Sequence, residues 1–457
     1  MTLLLAERPR PASVRDWRFG WWLAIGAVCL GAFMGQLDAS IVVLTYPVLG
    51  SRFHASGAAV EWVSLGYLLT LIALLVPAGR LSDAHGRKLH YLYGFLVFTL
   101  ASAACGLAPS LAALIGFRAV QAVGAALMQA NSVALVATSA PRARLRAALG
   151  VQAGAQAVGL ALGPTLGGII VVGLGWRWVF LLNVPVGALG MVAGHYFLPR
   201  TRIRTPVRRF DWPGLLLLGV SSTALLLAIS AASGLELSDA TVVALFAVAA
   251  LAGFGLARRL VRTAGPLIDP ALLRTRGTVL GLLGALGGYL TLFGPLVLVP
   301  AELTRHGTAL DAAGLVLTAL PAGFALAALA ADRVLPRAWT DRRRALTGSV
   351  VALCALAALL PEYSHAPFLV PPLALLGVGL GLFAPANNAL IMAAIPPGAE
   401  GTGGGLVNMA RALGTALGVA LVTLGLHQAT HSTVLAAALL AAVGVAVLAV
   451  TAAAHKP

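Results

Sequence analysis

Long apolar runs, interrupted at short intervals by polar or basic residues, decide what this chain can fold into. A helix rises 1.5 Å per residue, so about 20 apolar residues cross a hydrocarbon core about 30 Å thick. Runs of that order lie at 20–49, 59–78, 89–108, 111–139, 147–174, 178–198, 212–233, 241–257, 277–303, 312–331, 345–361, 367–394, 402–426 and 433–454. About fourteen membrane-spanning helices are therefore expected. Many of them are rich in Gly and Ala, which lets backbones approach where lipid supplies no hydrophobic drive between helices. Composition agrees. Of 457 residues, 59% are hydrophobic and 10% charged, with a mean hydropathy of +0.92. A soluble domain carries about a quarter charged residues, so a cytosolic multidomain enzyme and a disordered chain are both excluded.

The formal net charge of +16 raises a nucleic-acid reading, but the basic residues form short clusters between apolar runs rather than a continuous stripe. Their distribution instead orients the helices. Alternate loops hold Arg8, Arg10, Arg15 and Arg18, then Arg80, Arg87 and Lys88, then Arg142, Arg144 and Arg146. The same side receives Arg200, Arg202, Arg204, Arg208 and Arg209, then Arg258, Arg259, Arg262, Arg274 and Arg276, then Arg333, Arg337, Arg342, Arg343 and Arg344, and finally Lys456. Opposite loops hold only Arg52, Arg177 and Arg305. The positive-inside rule then places both termini in the cytoplasm and makes the helix count even. No cleaved leader is expected. Cys29, Cys105 and Cys354 lie in apolar stretches without metal-ligand spacing and read as small core residues.

An internal repeat divides the chain. One constant shift carries Val123-Gly124 onto Val378-Gly379, Ala134-Leu135 onto Ala389-Leu390, Pro141 onto Pro396, and Gly159 onto Gly414. The shift spans an even number of helices, so the two halves have the same orientation, one of the known transporter plans. The expected organisation is a six-helix bundle at 1–199, an inserted helix pair with basic linkers at 200–276, and a second six-helix bundle at 277–457.

Two charged residues stand out because they interrupt apolar runs. Asp38 lies in the first run, ~25 Å along the helix from Trp21, and a carboxylate at such a depth marks a functional site by default. Arg118, in the fourth run, has a compatible depth, and the pair reads either as proton-coupling machinery or as a structural lock. Glu61 is a solvated interface charge or a relay towards Asp38. Gln36, Gln129, Asn131, Gln152, Gln156, Asn387, Asn388 and Asn408 add uncharged polar groups for a cavity or for helix–helix bonds. Tyr67 and Tyr289 are candidate walls of that cavity. Arg411 requires a partner that the sequence does not identify. Neither a metal cluster, a nucleophile triad nor a phosphate loop is visible, so no enzyme activity and no cofactor are expected.

Several motifs resemble the major facilitator superfamily. Gly79-Arg80-Leu81-Ser82-Asp83-Ala84-His85-Gly86-Arg87-Lys88 is similar to its signature between helices 2 and 3, which implies gating roles for Gly79, Asp83, Gly86, Arg87 and Lys88. Gly159, Gly163, Pro164, Gly167 and Gly168 fall in a segment resembling the antiporter motif of exporters. Arg118-Ala119-Val120-Gln121-Ala122-Val123-Gly124 resembles the helix 4 motif associated with proton transfer, with Ala122 where Gly is usual. Leu37-Asp38-Ala39-Ser40, Trp176-Arg177-Trp178 through Asn183-Val184-Pro185, Phe210-Asp211-Trp212-Pro213-Gly214 and Pro266-Leu267-Ile268-Asp269 resemble the fourteen-helix drug:proton antiporter subfamily. The later copy of the 2–3 signature is degenerate, and Glu61 stands where the subfamily usually has Gln.

The resemblance implies an all-α membrane protein with two six-helix bundles plus two inserted helices, in a bacterial inner membrane. It implies proton-driven export of amphipathic organic compounds or drugs by alternating access. The proton gradient drives it, and its partners are the small-molecule substrate, protons and the lipid bilayer, without nucleic acid; a monomer is the working unit. A dedicated exporter of one metabolite or self-made antibiotic is the competing expectation, and a transport-inactive sensor or scaffold the third.

Overall fold

The computed structural model describes residues 7, 9–201, 203–205, 210–232, 237–263, 265–305, 315–336, 338–360, 366–427 and 432–453. Of the residues named above, Arg8, Arg202, Arg208, Arg209, Arg337 and Lys456 lie outside this set, as do the side chains of Pro164 and Arg305. The described residues are helical apart from turns and short connections, without a β-strand. The main helices are α1 (Gly20–Ile41), α2 (Gly57–His85), α3 (Arg87–Gly106), α4 (Leu111–Ser139), α5 (Leu145–Gly173), α6 (Asn183–Phe197) and α7 (Trp212–Ala232). They continue as α8 (Asp239–Arg262), α9 (Arg276–Arg305), α10 (Ala319–Val334), α11 (Asp341–Ala358), α12 (Val370–Ala394), α13 (Glu400–His427) and α14 (Ser432–Ala453).

Twelve helical stretches among the described residues are long and apolar enough to cross a membrane, with a shorter apolar stretch at Ala437–Ala453 in α14. The helix α11 falls outside the twelve; it opens on Asp341-Arg342-Arg343-Arg344, which dilutes its hydropathy. Helix starts follow from side-chain caps. Ser56 accepts from the Ala59 N–H at 3.3 Å, Ser110 from Ala113 at 3.2 Å and Thr340 from Arg343 at 3.3 Å, each satisfying a donor that the first turn leaves free. The first run extends beyond residue 49 through a 3₁₀ turn, Val42–Thr45, and a short helix, Tyr46–Phe53.

The chain forms two compact units. One comprises Met1–Gly219, Arg259–Asp269 and Ile395–Asn408, the other Val220–Arg258, Pro270–Ala394 and Met409–Pro457. The inserted pair expected at 200–276 is shared between them, and α13 begins in the first unit and continues in the second.

The repeat legible in the sequence is a repeat of backbone packing. In the first unit, a Cβ on Gly124 of α4 would strike the Phe98 backbone and the Gly94 carbonyl of α3. In the second, a Cβ on Gly379 of α12 would strike the Ala352 backbone and the Gly348 carbonyl of α11. Both helix pairs thus meet through backbone, with glycine on each side of the contact. Cys105 is buried, but Cys354 is exposed on α11, which corrects the expectation of three core cysteines. The outer face of a membrane helix is as apolar as its core, so hydropathy does not separate the two.

Asp211 organises the linker before α7. Its Oδ1 accepts from Gly214 N–H at 2.9 Å and from Arg259 Nε at 2.6 Å, and its Oδ2 from Leu267 N–H at 3.1 Å. Burial pushes its carboxyl up, but the Arg259 guanidinium and the two N–H donors outweigh it, and the pKa lies below the ordinary carboxylate range. A depressed folded pKa stabilises the fold above the unfolded value, and that stabilisation disappears as pH falls through the folded value. Asp211→Asn is therefore expected to lower thermal stability near neutral pH and to flatten its decline in acid. A detergent unfolding series that falls in parallel with the unaltered protein down to pH 3 would remove Asp211 from this role.

Candidate functional site

The carboxylate of Asp38 is the centre of a buried polar network inside the first unit. Asp38 is 0% exposed and Arg118 is 1% exposed. The expected pair is present, with Arg118 Nη1 2.6 Å from Asp38 Oδ2. Asp38 Oδ1 accepts from Gln121 Nε2 and from Asn183 Nδ2, both at 3.0 Å. Gln121 is held in turn: its Oε1 accepts from Arg118 Nη1 at 2.6 Å, and its Nε2 also donates to Ser102 Oγ at 2.8 Å. Arg118 Nε donates to the Val63 carbonyl at 3.2 Å, and its guanidinium carbon lies 4.1 Å from the centre of the Tyr67 ring. Tyr67 Oη is buried and finds no hydrogen-bond partner among the described residues. Gln121 and Asn183 are missing from the expected site residues although both stand within the quoted motifs. An amide in an apolar helix carries no sign that distinguishes a carboxylate ligand from ordinary helix–helix bonding. Glu61 is exposed on α2, and no ion pair of it is found among the described residues.

The helix carrying Asp38 is held close by glycines. A Cβ on Gly159 would strike the Phe33 carbonyl, one on Gly163 the Ser40 hydroxyl, and one on Gly167 the side chains of Ile41 and Leu44. These residues form the side-chain-free face of α5 that receives α1. Gly168 faces open space, outside that contact. Pro164 lies between them in α5, with its side chain outside the described set.

A second charged cluster forms at the α2–α3 turn. Gly86 has φ +124°, a conformation that excludes most side chains, and Gly79 approaches the Gly401 backbone with no room for a Cβ. Asp83, fully buried, accepts four hydrogen bonds: Gly401 N–H and Thr402 N–H at 2.7 Å, Thr402 Oγ1 at 2.8 Å and Arg87 Nε at 2.9 Å. It therefore caps the N-terminus of α13, where the helix dipole favours an anion. Arg87 also reaches Glu400 Oε2 at 2.5 Å. Lys88 Nζ donates to the carbonyls of His195 at 2.6 Å and Leu198 at 3.0 Å. In the second unit, Asp332 of the degenerate copy pairs with Arg344.

Seven of the candidate cavity residues line two small hollows. Gln36, Gln129 and Gln156, with Ser132, Met128 and Tyr91, line one in the first unit. Tyr289, Asn387, Asn388 and Arg411, with Phe324 and Phe383, line another in the second. Arg411 lies over Tyr289 at 5.2 Å, and Asn387 Nδ2 donates to the Gly281 carbonyl at 2.9 Å. Asn131 and Gln152 are buried outside both linings, and Asn408 Nδ2 donates to the Gln129 carbonyl at 2.8 Å. Among the described residues no group of His, Cys, Asp and Glu could hold a metal ion.

A family model described as Major Facilitator Superfamily matches residues 28–419 and 281–457. The riboflavin transporter RibZ of Clostridioides difficile is 30% identical over 406 residues, covering 87% of both chains. The tetracenomycin C resistance and export protein of Streptomyces glaucescens is 31% identical over 408 residues, covering 88% of this chain and 75% of its own. The fold is shared with the solved human organic anion transporter MFSD10, with a TM-score of 0.69 and 17% identity over 94% of this chain and 99% of that one.

Asp83→Asn removes the charge and one carboxylate acceptor at the start of α13. A loss of about 1–3 kcal/mol in stability is expected, together with faster amide exchange at Gly401 and Thr402. Unchanged exchange at those two amides would show that Asp83 does not hold the helix end.

Proposed function

The chain belongs to the major facilitator superfamily, and from that premise we propose that it is a proton-coupled antiporter exporting amphipathic organic compounds, drugs among them, by alternating access. The export reading is supported by relatives named for transport, resistance and export. Coupling to protons rests on one observation: a fully buried carboxylate, Asp38, held by a buried cation and two amides.

The network suits a group that changes charge. With Asp38 ionised, the Arg118 charge is compensated and the carboxylate is fully ligated. When Asp38 takes a proton, Arg118 keeps the Gln121 carbonyl oxygen, the Val63 carbonyl and the Tyr67 ring face. Those three contacts lower the cost of leaving a buried arginine without its carboxylate, a cost of about 3–5 kcal/mol where nothing replaces the partner. One inward proton supplies about 2.3 kcal/mol per 100 mV of membrane potential, enough to bias the exchange of conformations. The Asp83–Arg87–Glu400 cluster acts in this reading as a clamp that forms and breaks during the cycle.

The proposed topology has fourteen crossings, with α11 and α14 counted beside the twelve apolar spans. The charged opening of α11 then lies at the cytoplasmic edge, both termini are cytoplasmic, and the membrane is the bacterial inner membrane. Substrate is carried without a cofactor, and a monomer suffices.

Asp38→Asn is expected to abolish proton-dependent efflux from reconstituted vesicles while the protein stays folded, as judged by size exclusion and thermal unfolding. Arg118→Ala should damage coupling far more than Arg142→Ala, an exposed control. Normal acid-driven efflux by Asp38→Asn would take this carboxylate out of the mechanism.

A further inference from the structure

The turn preceding α3 leaves that helix without a cap of its own. Gly86 occupies the N-cap position and has no side chain to offer, yet the first N–H groups of a helix need acceptors from outside it. They come from two distant places in the sequence. Thr201 Oγ1 accepts from the Arg87 N–H at 2.8 Å, and Glu7 Oε1 accepts from the Leu89 N–H at 3.3 Å. The Glu7 side chain is fully buried. It accepts further from Thr201 N–H at 2.7 Å, from Thr201 Oγ1 at 2.9 Å and from Arg204 Nη2 at 3.3 Å. Three residues on, Arg10 Nε donates to the carbonyl of Phe197, the last residue of α6, at 2.6 Å.

These contacts have a common electrostatic logic. The helices α3 and α6 pack antiparallel, with Gly187 against Thr99 and Gly194 against Leu92. The N-terminus of α3 and the C-terminus of α6 therefore lie side by side, and Lys88 already bridges them. Glu7 lays a negative charge on the positive end of one helix dipole, and Arg10 lays a positive charge on the negative end of the other.

We propose that Glu7 and Arg10 form a strap across the α3–α6 ends, and that Glu7 is a positioning residue for the Asp83–Arg87–Glu400 clamp. The connection runs through named bonds. Thr201 joins Glu7 to the Arg87 backbone, while the Arg87 guanidinium binds Asp83 and Glu400. Four residues along the same linker, Thr205 N–H donates to the Asp83 carbonyl at 3.0 Å and Thr205 Oγ1 to the Gly398 carbonyl at 2.9 Å. The linker is thus anchored by Glu7 at one end and bonded at the other to Asp83 and to Gly398, whose N–H donates to Glu400 Oε2 at 2.7 Å. The strap rests on the reading of that clamp as part of the transport cycle.

The test uses the full chain in vesicles, with hydrogen exchange followed at 87–89 and 398–403, and with kcat and KM for efflux. Glu7→Ala should raise exchange at both segments by roughly three- to tenfold and change kcat while leaving KM in place. Glu7→Gln, which retains one acceptor oxygen, should fall between. Thr201→Val, which removes only the bridging hydroxyl, should loosen 398–403 as Glu7→Ala does. Exchange raised at 87–89 alone, with kcat and 398–403 unchanged, would reduce Glu7 to a local cap and overturn the proposal. Absence of efflux in the unaltered chain would instead overturn the export reading, and the exchange data would still decide the strap.

Discussion

A carboxylate buried in a bundle surrounded by lipid has no water to hold it, so the chain must bring its partners to it. Asp38 meets that demand by drawing on several elements at once. Arg118 and Gln121 come from α4, Asn183 from the start of α6, Ser102 from α3 through Gln121, and the Val63 carbonyl from α2 through Arg118. One ionisable group on α1 thereby fixes the mutual register of four other helices. The glycine face of α5 closes the fifth side without adding a side chain near the acid. Any change in the charge of Asp38 would be felt at every one of those contacts.

The second charged cluster works by a different economy. Asp83 is surrounded mainly by backbone and hydroxyl donors at the start of α13, and Arg87 supplies the counter-charge. A helix end can be released and regained as a unit, since its dipole and its first N–H groups move together. Side-chain networks such as that around Asp38 lack this property, since the partners are spread over several elements. The two acids are thus held differently, Asp38 by side chains from several helices and Asp83 mainly by one helix end.

How much of this the sequence reveals depends on the range of each interaction. The apolar runs, the basic clusters and the glycine stripes follow from local chemistry, and twelve of the fourteen expected spans are long and apolar enough to cross a membrane among the described residues. Asp38 and Arg118 are visible because a charge inside an apolar run has few explanations. Their amide partners are not, since Gln121 and Asn183 look like any other polar residue in a membrane helix. Glu400 and Thr402 are hidden for another reason: their contacts, with Arg87 and Asp83 respectively, join residues more than 300 positions apart, beyond the reach of any spacing rule. Glu7 is the extreme case. It sits beside Arg8 and Arg10 in a stretch that reads as solvated charge, and only the fold shows its carboxylate buried.

The internal repeat explains why backbone and chemistry diverge between the halves. Gly94 with Gly124, and Gly348 with Gly379, form matching helix contacts in which a single methyl group would collide with main chain. Such positions leave no room for a side chain in either half. An arginine over a tyrosine ring also recurs, Arg118 on Tyr67 and Arg411 on Tyr289. The groups around those arginines are free to change, and they differ. The first has Asp38 beside it, whereas the described lining of the hollow around Arg411 offers amides and aromatic rings without an acid. A repeated scaffold thus carries a buried acid in one copy and a hollow lined by amides and rings in the other. Strict backbone constraint is what permits that difference, because it holds the helices in place while the side chains differ.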